Sequence, residues 1–457
     1  MGDAGGIINH LMIERFFKIK ERKSNISTEM LAGLTTFATM SYVIFVQPAV
    51  LGAAGMDFGS VLTATCLSAA FGSILMGLLA NLPIAQAPGM GQNFFFAFTV
   101  CGGAVMGGYG FTWQQGLGTV FISGVIFTLF TLGGMRDRVM RAIPAALRYA
   151  IGAGIGLFIA LIGFEWGGVV TASPGTILKL GHISHGPAPM VLVSVLVIAL
   201  FMALRVRGAI LIGIGFAAIW SLAAGYTQWH GIAAMPPSIM PTILQIDVSG
   251  ALSRQHIGVA VFTFTVMVLF DSIGTITAVA HEAQLVKDGE IPKARQALLS
   301  DAVATITGSL LGTSTVTSYI ESSTGVAEGG RTGLSAVVTG GMFLLALFIY
   351  PLARMIGGGY ETAPGIFLYP IIAPAMIVVG SFMVPLAAQV EWENPVEAIP
   401  AFLTMVAMPF TFSITEGLAF GLIAYSALHP GIGKLPKTHP IIHVLAAAFL
   451  LRYFFLG

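Results

Sequence analysis

Four carboxylates stand where a carboxylate is costly. Asp271, Asp301, Glu321 and Glu416 lie in or beside long apolar runs, whereas most other acidic residues fall between such runs, where a solvated surface explains them. A charged side chain at the centre of a bilayer costs at least about 2.5–3.5 kcal/mol, so one retained there normally faces a cavity and works. Asp271 sits in the middle of the apolar stretch 266–275, and Glu321 ends the β-branched stretch 313–320. These two are the expected working acids. Asp301, about one turn inside the end of its run, and Glu416, which starts a helix near Thr415, read as caps or members of polar networks. An amide, Asn93, follows the Pro/Gly-rich stretch 83–91, and Phe94, Phe95, Phe96 and Phe98 come just after it. An amide, a carboxylate and the free N–H groups of helix amino ends suit a planar ligand edge with donors and acceptors. One of the four rings could stack on such a ligand, while at least three are expected to pack against neighbouring helices.

The elements that carry these residues must be membrane helices. Only 9% of the 457 residues are charged, 56% are hydrophobic and the mean hydropathy is +0.88. A soluble domain carries about 25% charged residues. This composition excludes a cytosolic enzyme and offers nothing to nucleic acid. Cys66 and Cys101 have no ligand-spaced neighbours, so both read as apolar core residues. The N-terminus is no cleavable signal, because its basic cluster precedes the apolar run, and Ile7–Ile19 reads as an amphipathic helix on the membrane surface.

Fourteen segments emerge, near 30–50, 60–81, 83–106, 114–134, 144–163, 189–204, 208–225, 256–280, 297–312, 313–328, 334–352, 364–388, 397–411 and 414–428. A last stretch, 439–456, either lies along the interface or is the final span, with 397–428 then forming one broken span. With the N-terminus inside, the cytoplasmic side receives five basic residues within 15–23, four within 136–148, two at 205–207, three within 287–295, Arg331, and two within 434–437. Only Lys179, Arg254 and Arg354 fall outside, the asymmetry the positive-inside rule requires.

An internal repeat relates the two halves. Residues 36–40 resemble 263–267 (offset 227), residues 72–75 resemble 308–311 (offset 236), and Asn93 pairs with Glu321 at offset 228. Two sets of seven spans enter from opposite sides, the inverted-repeat plan of secondary transporters, which bind substrate at matching broken segments. The third and tenth segments are those breaks. Prolines and glycines in 83–91, and Thr, Val, Tyr and Ile in 313–320, predict short strands leading into half-helices that begin near Pro88 and Glu321. Two such strands could satisfy each other's backbone where they meet.

The stretches AlaProGlyMetGlyGlnAsnPhePhePheAlaPheThr at 87–99, LeuPheAspSerIleGlyThr at 269–275 and GlyThrSerThrValThrSerTyrIleGluSerSerThrGly at 312–325 resemble the signatures of the azaguanine-like purine permeases. These belong to the nucleobase:cation symporter-2 (nucleobase–ascorbate transporter) superfamily. Residues 28–37 and 329–333 fit the same pattern, and the resemblance spans about 28–430. It implies an all-α polytopic fold of fourteen spans as a seven-plus-seven inverted repeat, with a core domain and a gate domain. After a cytoplasmic segment 1–27, the core takes 28–134 and 251–352, and the gate takes 135–250 and 353–457. The resemblance further implies proton-coupled import of purine bases across the inner (plasma) membrane by a homodimer, without a cofactor. Carried over by motif, Asn93, Asp271 and Glu321 are substrate and coupling positions, with Gly91, Phe94, Tyr319 and Ser322 beside them. Gln92 and Phe94 replace the Leu and Ala usual around that Asn, and Gln47-Pro48 stands in place of Asn-Pro. The first departure borders the site and bears on which purine is taken.

In this reading Glu321 accepts N–H groups of a purine, Asn93 and strand backbone meet the remaining edge, and Asp271 carries the coupling proton. Guanine and hypoxanthine are favoured. The alternatives are another planar base (adenine, xanthine or uracil), an anionic cargo such as a dicarboxylate, a channel, or a membrane-embedded enzyme. A strongly anionic cargo lacks a basic partner near the half-helices, and His281-Glu282 lacks the second histidine of H-E-x-x-H because position 285 is Leu.

Overall fold

The computed structural model describes residues 12–103, 108–133, 144–173, 176–286, 290–363, 366–429 and 439–456. Its elements, in order, are α1 (Ile26–Met40), α2 (Val43–Gly52), α3 (Phe58–Leu79), β1 (Gln86–Pro88), α4 (Met90–Phe94), α5 (Trp113–Leu132), α6 (Ala145–Trp166), β2 (Val170–Ser173), β3 (Ile177–Leu180), α7 (Ala188–Ala203) and α8 (Ala209–Ala223). There follow α9 (Val248–Leu252), α10 (Ile257–Glu282), α11 (Ala294–Leu311), β4 (Val316–Ser318), α12 (Ser322–Ala327), α13 (Gly333–Ala346), α14 (Tyr350–Gly357), β5 (Tyr360–Ala363), β6 (Ile366–Leu368), α15 (Ala373–Met383), α16 (Pro395–Phe410), α17 (Ile414–Leu428) and α18 (Pro440–Leu456). Among the described residues, six helical stretches are long and apolar enough to cross a bilayer: Ile26–Gly52, Phe58–Leu79, Trp113–Leu132, Ala145–Trp166, Ile257–Glu282 and Gly333–Gly357. The protein is an integral membrane protein, mostly helical.

The helices pack as two groups. In one, α13 lies against α3 and α1, and α11 against α5 and α3; in the other, α6 lies against α15 and α16, and α7 against α8 and α15. Small residues set these approaches, as expected where lipid gives helices no hydrophobic reason to associate. A Cβ on Gly33 of α1 would stand 2.7 Å from the Val338 Cβ of α13, and one on Gly156 of α6 would stand 2.7 Å from the Met383 Cβ of α15.

The two strands expected from composition form, and they pair. β1 and β4 run antiparallel with Gln86 opposite Ser318, Ala87 opposite Thr317 and Pro88 opposite Val316. The pairing extends by one bond at each end, from Tyr319 N to Ala85 O and from Gly89 N to Thr315 O, both 3.0 Å. The half-helices then start at Met90 and Ser322, one or two residues from the expected points, and α4 runs on as a π-helical turn over Phe95–Val100.

Several expectations need correction. The stretch 364–388 is not one helix: β5 and β6 form a hairpin, and the helix begins only at Ala373. The Phe367–Leu368 stretch is apolar but lies between Gly358-Gly359 and Pro370, and so turns as a strand. A second hairpin, β2–β3, precedes α7. The eleventh segment runs on through α14 to Gly357, five residues past its expected end at 352. Residues 397–428 are not one broken span, because α16 and α17 fold back on each other. Tyr425 of α17 donates to Glu397 Oε1 near the start of α16, at 3.1 Å. α18 packs against α17, and its Tyr453 hydroxyl donates to Glu416. Glu416 is thus a network member, its own N–H capped by Ser413.

The N-terminal segment is docked rather than simply laid on a surface. Residues 12–17 are helical, and Phe17 and Ile19 are buried while Met12 and Phe16 stay exposed; the rest of the expected helix lies outside the described residues. Asn81 donates to Phe17 O at 2.8 Å and accepts from Gly333 N at 2.7 Å, and Arg22 reaches Arg331 O at 2.8 Å. Beneath lies Glu29, fully buried, which accepts from Arg331 N at 2.9 Å and Thr332 N at 3.2 Å. Glu29 therefore belongs with the buried acids and not with the solvated ones. Both cysteines are free.

Removing the Glu29 carboxylate leaves two backbone donors without acceptors. Because bonds to a charged group contribute about 1.5–3 kcal/mol each, Glu29→Ala is expected to lower the thermal unfolding midpoint of the detergent-purified protein clearly, and Glu29→Gln less. An unchanged midpoint for Glu29→Ala would contradict this role.

Candidate substrate-binding site at the strand crossing

Alternation along β4 sends successive side chains to opposite faces of the strand pair. Thr317 donates to Asp271 Oδ2 of α10 at 3.2 Å, and Ser318 donates to Asp301 of α11 at 2.9 and 3.1 Å. Asp301 also accepts from Gln86 of β1, and Gln86 in turn bonds Ser300 at 3.1 Å and Ser73 through its backbone. Asp301 is thus a network member, as expected. It lies about two turns into α11 instead of one, because α11 starts at Ala294. Its surroundings are wholly protein, with no exposed surface.

Asp271 is held from a second side by Gln92 of α4, whose amide donates to Oδ2 at 3.1 Å. Sequence reasoning registered Gln92 only as a departure from a pattern. An uncharged amide in an apolar run gives little warning of its partner, and only the fold brings it to Asp271.

Glu321 stands at the N-terminus of α12, where its Oε1 accepts from the hydroxyl of Tyr42 at 2.9 Å. Tyr42 lies in the break between α1 and α2. A crevice opens from there between the two helix groups. Tyr42, Val46, Met90 and Phe94 line one side, and Ile159, Met376 and Val379 line the other. In this conformation the crevice is too narrow to hold a water molecule.

The remaining expected site residues are placed as follows. Phe94 alone of the four rings lines the crevice. Phe95 packs edge-on against Phe264, and Phe98 packs against Trp166 and Phe412. Asn93 is fully buried within a closed ring of side chains: its amide donates to Gln47, its oxygen accepts from Ser314, and Gln47 donates to Thr313 at 2.9 Å and Ser314 at 3.4 Å. The Tyr319 hydroxyl donates to Pro88 O across the strand pair. Ser322 Oγ accepts from Ala85 N at 3.0 Å. Gly91 does permit a close approach, but to Ile155 of α6, whose Cγ2 a Cβ would meet at 2.7 Å. The geometry therefore separates two sets: Tyr42 and Phe94 on the crevice wall, with Glu321 held by Tyr42 and Asp271 held by Gln92 and Thr317, and Asn93, Gln47, Ser314, Tyr319 and Ser322 holding the broken segments together.

Comparison with known proteins fits this arrangement. The chain belongs to the Permease family (Xan_ur_permease), whose model matches residues 27–420. It is 41% identical to the adenine permease AdeP of Escherichia coli over 97% of this chain and 96% of that protein. It is also 41% identical to the guanine/hypoxanthine permease PbuG of Bacillus subtilis, over 97% of this chain and 100% of that protein. The fold resembles the transmembrane domain of a cyanobacterial bicarbonate transporter, BicA, with a TM-score of 0.62 at 14% identity, covering 87% of this chain and 97% of that one. The resemblance read from the motifs is borne out: the chain is a permease of the nucleobase:cation symporter-2 kind and not an enzyme.

Asn93→Leu leaves Gln47 and Ser314 without their shared partner in a fully buried position. The expected outcome is a loss of about 2 kcal/mol of stability, read from thermal unfolding of the purified protein. A variant as stable as the parent would show that the ring is not made.

Proposed function

We propose that this protein imports purine nucleobases by proton symport through alternating access. The observation that carries the reading is the crossing of β1 and β4, which gathers two half-buried acids, Asp271 and Glu321, beside the amino ends of two half-helices and a crevice between two helix groups. A purine offers ring N–H donors and ring acceptors in one plane. In this reading Glu321 accepts the N–H groups, and for guanine the exocyclic amine as well. The backbone N–H groups that open α4 meet the acceptor edge, and the base stacks on Phe94.

Asp271 carries the coupling proton. Desolvation disfavours a charged carboxylate, so protonation lowers the cost of carrying this surface past the apolar helices opposite. Helices α1–α5 and α10–α14 act as the moving core, and α6–α8 with α15–α18 as the gate. Fourteen spans in two inverted sets, a cytoplasmic N-terminus, an inner-membrane location and a homodimer complete the proposal. Asn93, Gly91, Tyr319 and Ser322 serve the site by fixing the broken segments on which Gln92, Phe94 and Glu321 stand. Guanine and hypoxanthine remain the favoured cargo. Adenine is the second reading, supported by the equal identity to an adenine permease.

In proteoliposomes, labelled guanine, hypoxanthine and adenine are expected to enter down an inward proton gradient, with uracil excluded and a protonophore abolishing accumulation. Glu321→Gln should weaken base binding by at least about tenfold, the scale of one lost bond to a charged group. Asp271→Asn should keep base exchange but lose its response to the proton gradient. Full binding by Glu321→Gln, or gradient-driven accumulation by Asp271→Asn, would overturn the corresponding role.

A further inference from the structure

Tyr42 stands out among the crevice residues. It sits in the two-residue break between α1 and α2, is 2% exposed, and makes no capping bond with its side chain. Its hydroxyl instead donates to Glu321 Oε1 at 2.9 Å, while its ring lines the crevice beside Met90 and Phe94. The other tyrosine of the region, Tyr319, is committed to Pro88 O on the strand pair. Among the described residues, the Tyr42 hydroxyl is the hydrogen-bond donor that both borders the crevice and satisfies the carboxyl of Glu321.

We propose that Tyr42 is a positioning residue that stands in for the cargo: in the empty, closed carrier its hydroxyl fills the acceptor place on Glu321 that a base N–H takes when cargo is bound. This rests on the role proposed for Glu321 and adds a division of labour to it. A carboxyl at membrane depth left without a partner is costly, and a carrier must pass through a closed state twice per cycle, once loaded and once empty. On the loaded passage the base satisfies Glu321. On the empty passage the Tyr42 hydroxyl is the side-chain donor that reaches it, across a crevice that is narrow in this structure. Tyr42 is therefore needed for the return of the empty carrier and dispensable for the loaded crossing.

That asymmetry gives a readout that a merely structural tyrosine would not move. Net uptake requires the empty return, whereas exchange of internal for external base does not. For Tyr42→Phe in proteoliposomes, net uptake of labelled guanine or adenine, whichever the parent carries, is expected to fall about tenfold, the scale of one hydrogen bond to a charged group. Exchange should stay within about twofold, and base affinity should rise because the competing donor is gone. Net uptake and exchange falling together, or net uptake unchanged, would overturn the proposal. Should the Phe variant fail to fold, Tyr42→Gln keeps a donor, and its ratio of net uptake to exchange is expected within about twofold of the parent; a tenfold drop in that ratio would overturn the proposal equally. Glu321→Gln, measured alongside, separates the two levels. If it binds base normally, the underlying reading of the site fails; if it loses base while Tyr42→Phe keeps the parental ratio, only the inference about Tyr42 fails.

Discussion

Everything in this molecule that can do chemistry depends on six residues of extended backbone pairing with one another. Peptide groups outside a helix must find partners where no water reaches them. Gln86–Pro88 and Val316–Ser318 find those partners in each other, with one further bond at either end. That solution lets two helices begin in the interior of the protein instead of at its surface; at the start of α12 the N–H groups of Ser322, Ser323 and Thr324 turn back onto the carbonyls of Tyr319, Ile320 and Glu321. It also fixes which face each polar side chain takes. Because neighbouring residues of a strand point opposite ways, Thr317 and Ser318 deliver one hydroxyl to Asp271 and one to Asp301. Two acids on different helices are thereby held from a single strand.

The polar residues around this crossing divide by what they touch. Asn93, Gln47 and Ser314 close on themselves, and Gln86, Ser73 and Asp301 do the same on the other side. Such satisfied networks make a broken segment rigid, which a site that must present a carboxylate at a fixed place requires. Asp271 and Glu321 are held more lightly, by a Gln and a Thr in one case and by a Tyr in the other. The side chains opposite, Ile159, Met376 and Val379, are apolar. A surface of this kind offers a polar cargo nothing to hold on that side.

The helices, the two breaks and the presence of acids beside them were legible in the sequence because each rests on a local signal: a run of apolar residues, a cluster of Pro and Gly, a carboxylate with no solvent to explain it. The expected strands at 83–91 and 313–320 appear within those bounds. The partners were not legible. Nothing local says that Gln92 meets Asp271 across 179 residues, or that Tyr42 meets Glu321 across 279. Glu29 was passed over because it sits in the first turn of a helix, where an acid is ordinarily solvated; the 302-residue loop closure that buries it on Arg331 is a tertiary fact. Gly91 was read as a site residue with close backbone approach; the neighbour the structure shows against it is Ile155. The hairpin β5–β6 was missed for the opposite reason, since an apolar run of that length satisfies a helix pattern as readily as a strand.

A structure of the protein with a purine bound tests the central claim most directly. Density for a flat base is expected between the amino ends of α4 and α12, within hydrogen-bond distance of Glu321 and against the ring of Phe94, with α6 and α15 drawn back and the strand pair unchanged. Base density elsewhere, with Glu321 still bonded only to protein and the crevice still shut, would contradict it.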